Sequence, residues 1–179
     1  RGTVDLAVIG NEVLFRKDMA PTELIGYIER FREAVPHVPV AVGEIAGSLL
    51  ENPEVIRACD VVGMHQYPYW EGECISHAIR NLDSAYSAVK AIAGNREVRI
   101  LETGWPTAGR KRKWDSRYDQ AVASLWNARR YLEGVRRWAR LNRVIVYWFE
   151  LADERWKLAT EGPPGPHWGR FTEDLIRKY

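Results

Sequence analysis

The stretch Val98-Arg99-Ile100-Leu101-Glu102-Thr103-Gly104-Trp105-Pro106 decides how the rest of the chain reads. Residues 98–101 are short and mostly apolar, the pattern of a strand buried on both faces of a parallel sheet. The run ends on a carboxylate, and Gly104 and Pro106 then stop the strand from continuing. A charge at the mouth of an apolar strand is costly unless something uses or compensates it. Val4-Asp5-Leu6-Ala7-Val8-Ile9-Gly10-Asn11-Glu12 has the same grammar. Two glutamates at the carboxyl ends of two parallel strands form a candidate acid/base pair.

Outward from these stretches, strand and helix alternate. Strands are expected over residues 4–9, 38–42 (ending at Gly43-Glu44), 60–65, 98–101 and 143–149. Pro21 suits the first turn of a helix carrying Leu24, Ile25, Ile28, Phe31 and Val35 at helical spacing. A short helix covers 54–58. A longer one places Ile75, Ile79, Leu82, Tyr86 and Val89 on one face and closes at Gly94-Asn95. Another turns Ala121, Val122, Leu125, Leu132, Val135 and Ala139 inward, and a terminal helix is expected from about Thr172. Such alternation means right-handed βαβ units and a parallel sheet.

Two architectures fit, an open doubly wound sheet or part of a (β/α)₈ TIM barrel. Neither G-x-G-x-x-G nor G-x-x-x-x-G-K-[ST] occurs, so a nucleotide-binding open sheet has no phosphate turn. The polar and aromatic residues gather after the first, third, fourth and fifth strands, the face where barrels carry their chemistry. The barrel is therefore preferred. A full barrel takes about 250 residues, so at 179 residues three strand-helix units are expected to be absent.

At 46% hydrophobic, the chain has material for one core, and residues 1–179 are read as a single domain. A net charge of +2 from 26 basic and 24 acidic residues gives no reason to invoke nucleic acid or an anionic membrane. The arginines 129, 130, 136, 137 and 140 lie between apolar helix positions, as on a solvated face, and the basic loop 110–113 reads as mobile. No apolar run approaches the ~20 residues of a membrane span. The chain opens on Arg1 without Met and reads as a processed or excised piece. Cys59 and Cys74 flank a strand at opposite ends, too far apart for a disulfide, so free thiols are expected. The four histidines show no metal spacing; His65 and His167 read as lining or structural residues, and no cofactor or metal is implied.

Paired carboxylates break a glycosidic bond because one protonates the leaving oxygen while the other attacks or activates water. Asn11, beside Glu12, is placed to bond a sugar 2-hydroxyl. The aromatic load, eight Trp and eight Tyr, gives Tyr67, Tyr69, Trp70, Trp105 and Trp156 as candidates for a sugar-stacking platform against a plain packing role. Glu150 and Lys157 either support the nucleophile or form a plain salt bridge. Glu44 is the rival carboxylate.

Ile9-Gly10-Asn11-Glu12-Val13 and Leu101-Glu102-Thr103-Gly104-Trp105-Pro106 resemble glycoside hydrolase family 17, the β-1,3-glucanases and glucanosyltransferases. Tyr67-Pro68-Tyr69-Trp70 and the segment from Phe149-Glu150 through Asp153-Glu154-Arg155-Trp156-Lys157 resemble further blocks of that family. The resemblance implies strands 4–8 of a TIM barrel and a retaining mechanism on β-1,3-glucan, by hydrolysis or transglycosylation. It makes Glu12 the acid/base with a raised pKa and Glu102 the ionised nucleophile, their carboxyls ~5–5.5 Å apart. It also implies an extracellular, cell-envelope or periplasmic address. Strands one to three are missing from the pattern, so the isolated chain is expected to be inactive or to need completion by an amino-terminal segment or a second chain. The alternative is a non-catalytic glucan-binding or scaffold half-barrel.

Overall fold

The computed structural model describes residues 4–109 and 120–179; the basic loop 110–113 lies outside them. The elements run β1 (Ala7–Asn11), α1 (Pro21–Ala34), β2 (Val40–Ile45), α2 (Ala46–Glu51), α3 (Pro53–Ala58), β3 (Val61–His65), α4 (Ala78–Ala93), β4 (Glu97–Thr103), α5 (Leu125–Asn142), β5 (Val146–Trp148) and α6 (Leu158–Glu161). The strands hydrogen-bond in chain order, β1-β2-β3-β4-β5. That order decides between the two architectures. A doubly wound sheet reverses strand order at a switch point, and this one does not. The five-stranded sheet with intervening helices is the α/β arrangement of part of a (β/α)₈ barrel.

Two compact units divide the chain. The first comprises Arg1–Gln66 and Ser84–Leu101. Its centre is β2 and β3, whose parallel register runs from Ala41 against Val61 to Ile45 against His65. Every residue of β3 is buried, as expected of a strand covered on both faces. Leu24 and Ile28 of α1, Leu49 of α2, Val55 and Ile56 of α3, and Val89 of α4 complete this core. Pro21 opens α1, where its missing N–H costs nothing. β1 pairs in parallel with β2, and its register shifts between Val8 and Asn11.

The second unit comprises Tyr67–Asp83 and Glu102–Tyr179. α5 packs through Tyr131, Leu132, Val135 and Trp138, and the Trp138 Nε1–H donates to Asp83 Oδ1 at 2.7 Å. The helix begins at Leu125 rather than near Ala121. Ser124 caps it by accepting from the Asn127 N–H, while Val122 O accepts instead from Trp105 Nε1 and Asn127 Nδ2.

The helix expected from Thr172 does not form. Thr172 and Ile176 close a tight turn through Leu175 in the left-handed region, and Phe171 bridges Ala152 and Arg177. So short a segment does not repay helix nucleation, and Lys178 is fixed on Asp153 at 2.8 and 2.9 Å. Cys59 and Cys74 are both free thiols, as expected. No helix among the described residues is long and apolar enough to cross a membrane.

Candidate active site

In the first unit, β1 delivers Asn11 and then Glu12. Glu12 takes a left-handed φ of 54°, and its N–H donates to Gly43 O at 2.7 Å. The turn breaks the strand and aims the side chain along the strand end. Glu12 Oε1 lies 3.0 Å from His65 Nδ1, and Oε2 lies 3.9 Å from Arg16 Nη1. Arg16 also donates to Asn11 O at 2.6 Å, closing the loop back on itself. Asn11 is exposed at the strand end.

Glu44 has a different task from the one its position suggests. It is fully buried, and its carboxylate accepts from the Leu14 N–H at 2.7 Å and the Phe15 N–H at 3.3 Å. Burial pushes its pKa up, and the two backbone hydrogen bonds oppose that rise. It is the anchor of the loop that carries Glu12, not a sugar contact. Glu44→Ala is expected to destabilise the fold by about 2 kcal/mol, because the loop amides lose a charged acceptor. Urea unfolding checks this; an unchanged midpoint would contradict the anchoring role.

In the second unit, Glu102 is half-buried near the end of β4, and the Tyr67 hydroxyl donates to its Oε2 at 2.6 Å. Next to it, Thr103 is buried and shares a 2.8 Å hydrogen bond with Tyr131, whose hydroxyl pKa burial pushes up. Thr103 O accepts the Phe149 N–H at 2.8 Å. Gly104 follows because a Cβ there would lie 2.0 Å from Phe149 O. These ties fix the backbone on which Glu102 stands.

The five aromatic candidates divide by exposure. Trp156 is 64% exposed and Trp70 40%, so both offer ring surface. Tyr67 is half-buried, its ring edge-on to Phe149 and Trp168. Tyr69 and Trp105 are fully buried against each other, so neither presents a face for a sugar. That corrects the stacking expectation for these two: they are packing residues of a cluster that includes Trp168.

Lys157 is buried, ion-paired with Glu150 and, at 2.7 Å, with Glu154; its ammonium sits 4.2 Å from the centre of the Phe149 ring. Burial raises the Glu150 pKa from 4.5 to about 7, against the opposing pull of Lys157. Burial also works to lower the Lys157 pKa, but its two carboxylate partners win and raise it. The two shifts make opposite demands on the pair. The ammonium is the firm charge, because Glu154 still serves it when Glu150 is protonated.

The unfolded Glu150 carboxyl loses its proton near 4.5 and the folded one near 7. Its contribution to stability is therefore complete below 4.5 and lost as pH rises through about 7. The melting temperature is expected to carry a falling component between pH 5 and 8 that Glu150→Gln removes. A difference between the two proteins that is constant across this range would contradict the assignment.

The family model of the BtgE/BtgC glycoside hydrolase domain matches residues 1–169. The chain belongs to this family. Among similar proteins, a probable glucan endo-1,3-beta-glucosidase of Emericella nidulans is 31% identical over 166 residues, covering 81% of this chain and 34% of that protein. The crystal structure of a glycoside hydrolase family 17 beta-1,3-glucanosyltransferase from Rhizomucor miehei aligns with a TM-score of 0.86 at 31% identity, over 97% of this chain and 62% of that one. An active-site mutant of the Rhizomucor enzyme, in complex with laminaritriose, aligns with a TM-score of 0.85 at 32% identity over the same shares. This BtgE/BtgC domain thus spans from a third to three-fifths of the length of these relatives.

Sequence reasoning left His65 and Arg16 without a role beside Glu12. The signal for His65 was its place at the carboxyl end of a fully apolar strand, where a buried imidazole needs a partner. Arg16 gave no signal of its own.

Proposed function

We propose that this chain carries both catalytic carboxylates of a retaining glycoside hydrolase or transglycosylase acting on β-1,3-glucan. The observation that carries the reading is the placement of Glu12 and Glu102, each at the carboxyl end of its strand and each hydrogen-bonded by a neighbouring side chain, in a chain of a glycoside hydrolase family. The names of the relatives, a glucan endo-1,3-beta-glucosidase and a beta-1,3-glucanosyltransferase, supply the substrate class.

In this reading Glu102 attacks the anomeric carbon while Glu12 protonates the departing glycosidic oxygen, leaving a glycosyl ester on Glu102. Glu12, now ionised, takes a proton from water or from a sugar hydroxyl, and that acceptor displaces Glu102. Two inversions restore the β configuration. The Tyr67 hydroxyl holds the attacking carboxylate and steadies it as it leaves. Asn11 meets the sugar, and the exposed rings of Trp70 and Trp156 stack on apolar pyranose faces. Lys157, paired with Glu150, holds its ammonium over the Phe149 and Trp156 rings. The chain acts as part of a TIM barrel, of which it covers 62% in the solved relative.

The test is product analysis by the full-length protein on laminari-oligosaccharides, with proton NMR of the first-formed anomer. β-Anomers appearing first support retention. Products longer than the substrate assign transfer, and shorter ones alone assign hydrolysis. Initial release of α-anomers, or tight laminarin binding without turnover, would overturn the proposal.

A further inference from the structure

We infer that His65 is a positioning residue that reserves one oxygen of Glu12 for proton transfer, an assignment resting on Glu12 being the acid/base. The ring reaches Glu12 from an unusual place. His65 ends β3, Glu12 follows β1, and β2 lies between those strands. The ring crosses β2 at Gly43, the register partner of Asn11. A Cβ at Gly43 would stand 2.9 Å from His65 Nε2 and 2.9 Å from Asn11 Oδ1. His65 is fully buried. The missing side chain at Gly43 is therefore what lets the imidazole reach Glu12.

The chemistry follows from which atoms meet. An ionised carboxylate only accepts, so the nitrogen facing it, Nδ1, carries the proton. At 3.0 Å that N–H is committed to Oε1. A protonated carboxyl keeps the same bond best with its own proton on Oε2, because the carbonyl oxygen is a stronger acceptor than the hydroxyl. One hydrogen bond thus suits both forms that the two half-reactions require, and the proton shuttles on Oε2 alone. Without the imidazole, the carboxyl rotates about its last bond and presents its proton from either oxygen. The loss then falls on the step in which a proton moves to a poor leaving group, and spares one in which the leaving group departs unaided.

The experiment compares kcat/KM of the full-length protein and its His65→Ala, His65→Asn, Gly43→Ala and Glu12→Gln variants on two substrates. One is a laminari-oligosaccharide, whose sugar leaving group needs protonation. The other is a dinitrophenyl β-laminaribioside, whose phenolate does not. His65→Ala is expected to lose about 10²-fold on the oligosaccharide, the low end of what a positioned acid supplies, and nothing on the aryl glycoside. His65→Asn, which can present an N–H toward Oε1, recovers part of the loss. Gly43→Ala, with both His65 and Glu12 retained, displaces the ring and also crowds Asn11. It is expected to lose activity on both substrates but more on the oligosaccharide, and that difference decides the matter if His65→Ala does not fold.

Equal losses on both substrates, or none, would overturn the inference. If Glu12→Gln shows the selective loss while the His65 and Gly43 variants do not, only this inference fails. If Glu12→Gln itself lacks the selectivity, the acid/base reading fails with it.

Discussion

Glu102→Ala is expected to lower kcat on laminari-oligosaccharides by about 10⁵-fold, in keeping with the cost of removing a covalent nucleophile. The reason is specific to the two-step path. Without the carboxylate no glycosyl ester forms, and water attacking directly must enter from a face on which nothing activates it. The truncation also leaves a gap in front of the Tyr67 hydroxyl, which now bonds Glu102 Oε2 at 2.6 Å. A small anion such as azide fits that gap. With an activated aryl glycoside, azide is expected to restore turnover and to yield the α-glycosyl azide, a single inversion. Product NMR checks both the rate and the anomer. Residual activity above about a hundredth of wild type, well beyond what loss of a nucleophile allows, would remove Glu102 from the role.

Glu12→Ala is expected to cost about 10³-fold on the oligosaccharide, within the range of a general acid/base. It differs from the first variant in kind as well as size. The glycosyl-enzyme still forms from a dinitrophenyl glycoside, then accumulates because nothing deprotonates the incoming water. A burst of phenolate followed by a slow steady state is the signature. Azide again rescues, but by attacking the glycosyl-enzyme from the opposite face, so the product is the β-glycosyl azide. Opposite anomers from the two variants assign the two carboxylates independently of any rate. The same anomer from both would show that they do not divide the labour this way.

Much of the fold is legible in the pattern of the chain because the central strands β2 and β3 are buried. Strands β2 and β3 read as apolar runs up to Gly43 and Met64, and Pro21 and Gly94 mark helix ends for local steric reasons that survive any tertiary context. Ends set by long-range bonds are less legible. α5 starts late because Ser124 caps it, and the tail turns back because Lys178 finds Asp153 some 25 residues earlier. α2, with six residues beginning Ala-Gly, leaves too little periodicity to see.

The site divides along the same line. A glutamate after an apolar strand announces that something compensates its charge, and that holds for Glu12, Glu44 and Glu102 alike. Whether the compensation comes from a substrate or from the backbone is a matter of loop geometry. Glu44 is taken by two amides of the loop after β1, which no spacing in the sequence reveals. Aromatic residues raise the same ambiguity. Trp70 and Trp105 both follow strands beside Gly or Pro, yet one is exposed and the other fully buried under Tyr69 and Tyr131.

The most direct measurement is mass spectrometry of the full-length protein after reaction with a 2-deoxy-2-fluoro β-laminaribiosyl fluoride. The fluorine at C2 slows both steps, and the good leaving group lets the first proceed, so a retaining enzyme is caught as its glycosyl ester. The account predicts one added glycosyl unit per chain, carried by the peptide containing Glu102 and absent from Glu102→Gln. An adduct mapped to any other carboxylate, or none with a protein that turns over laminari-oligosaccharides, would contradict it.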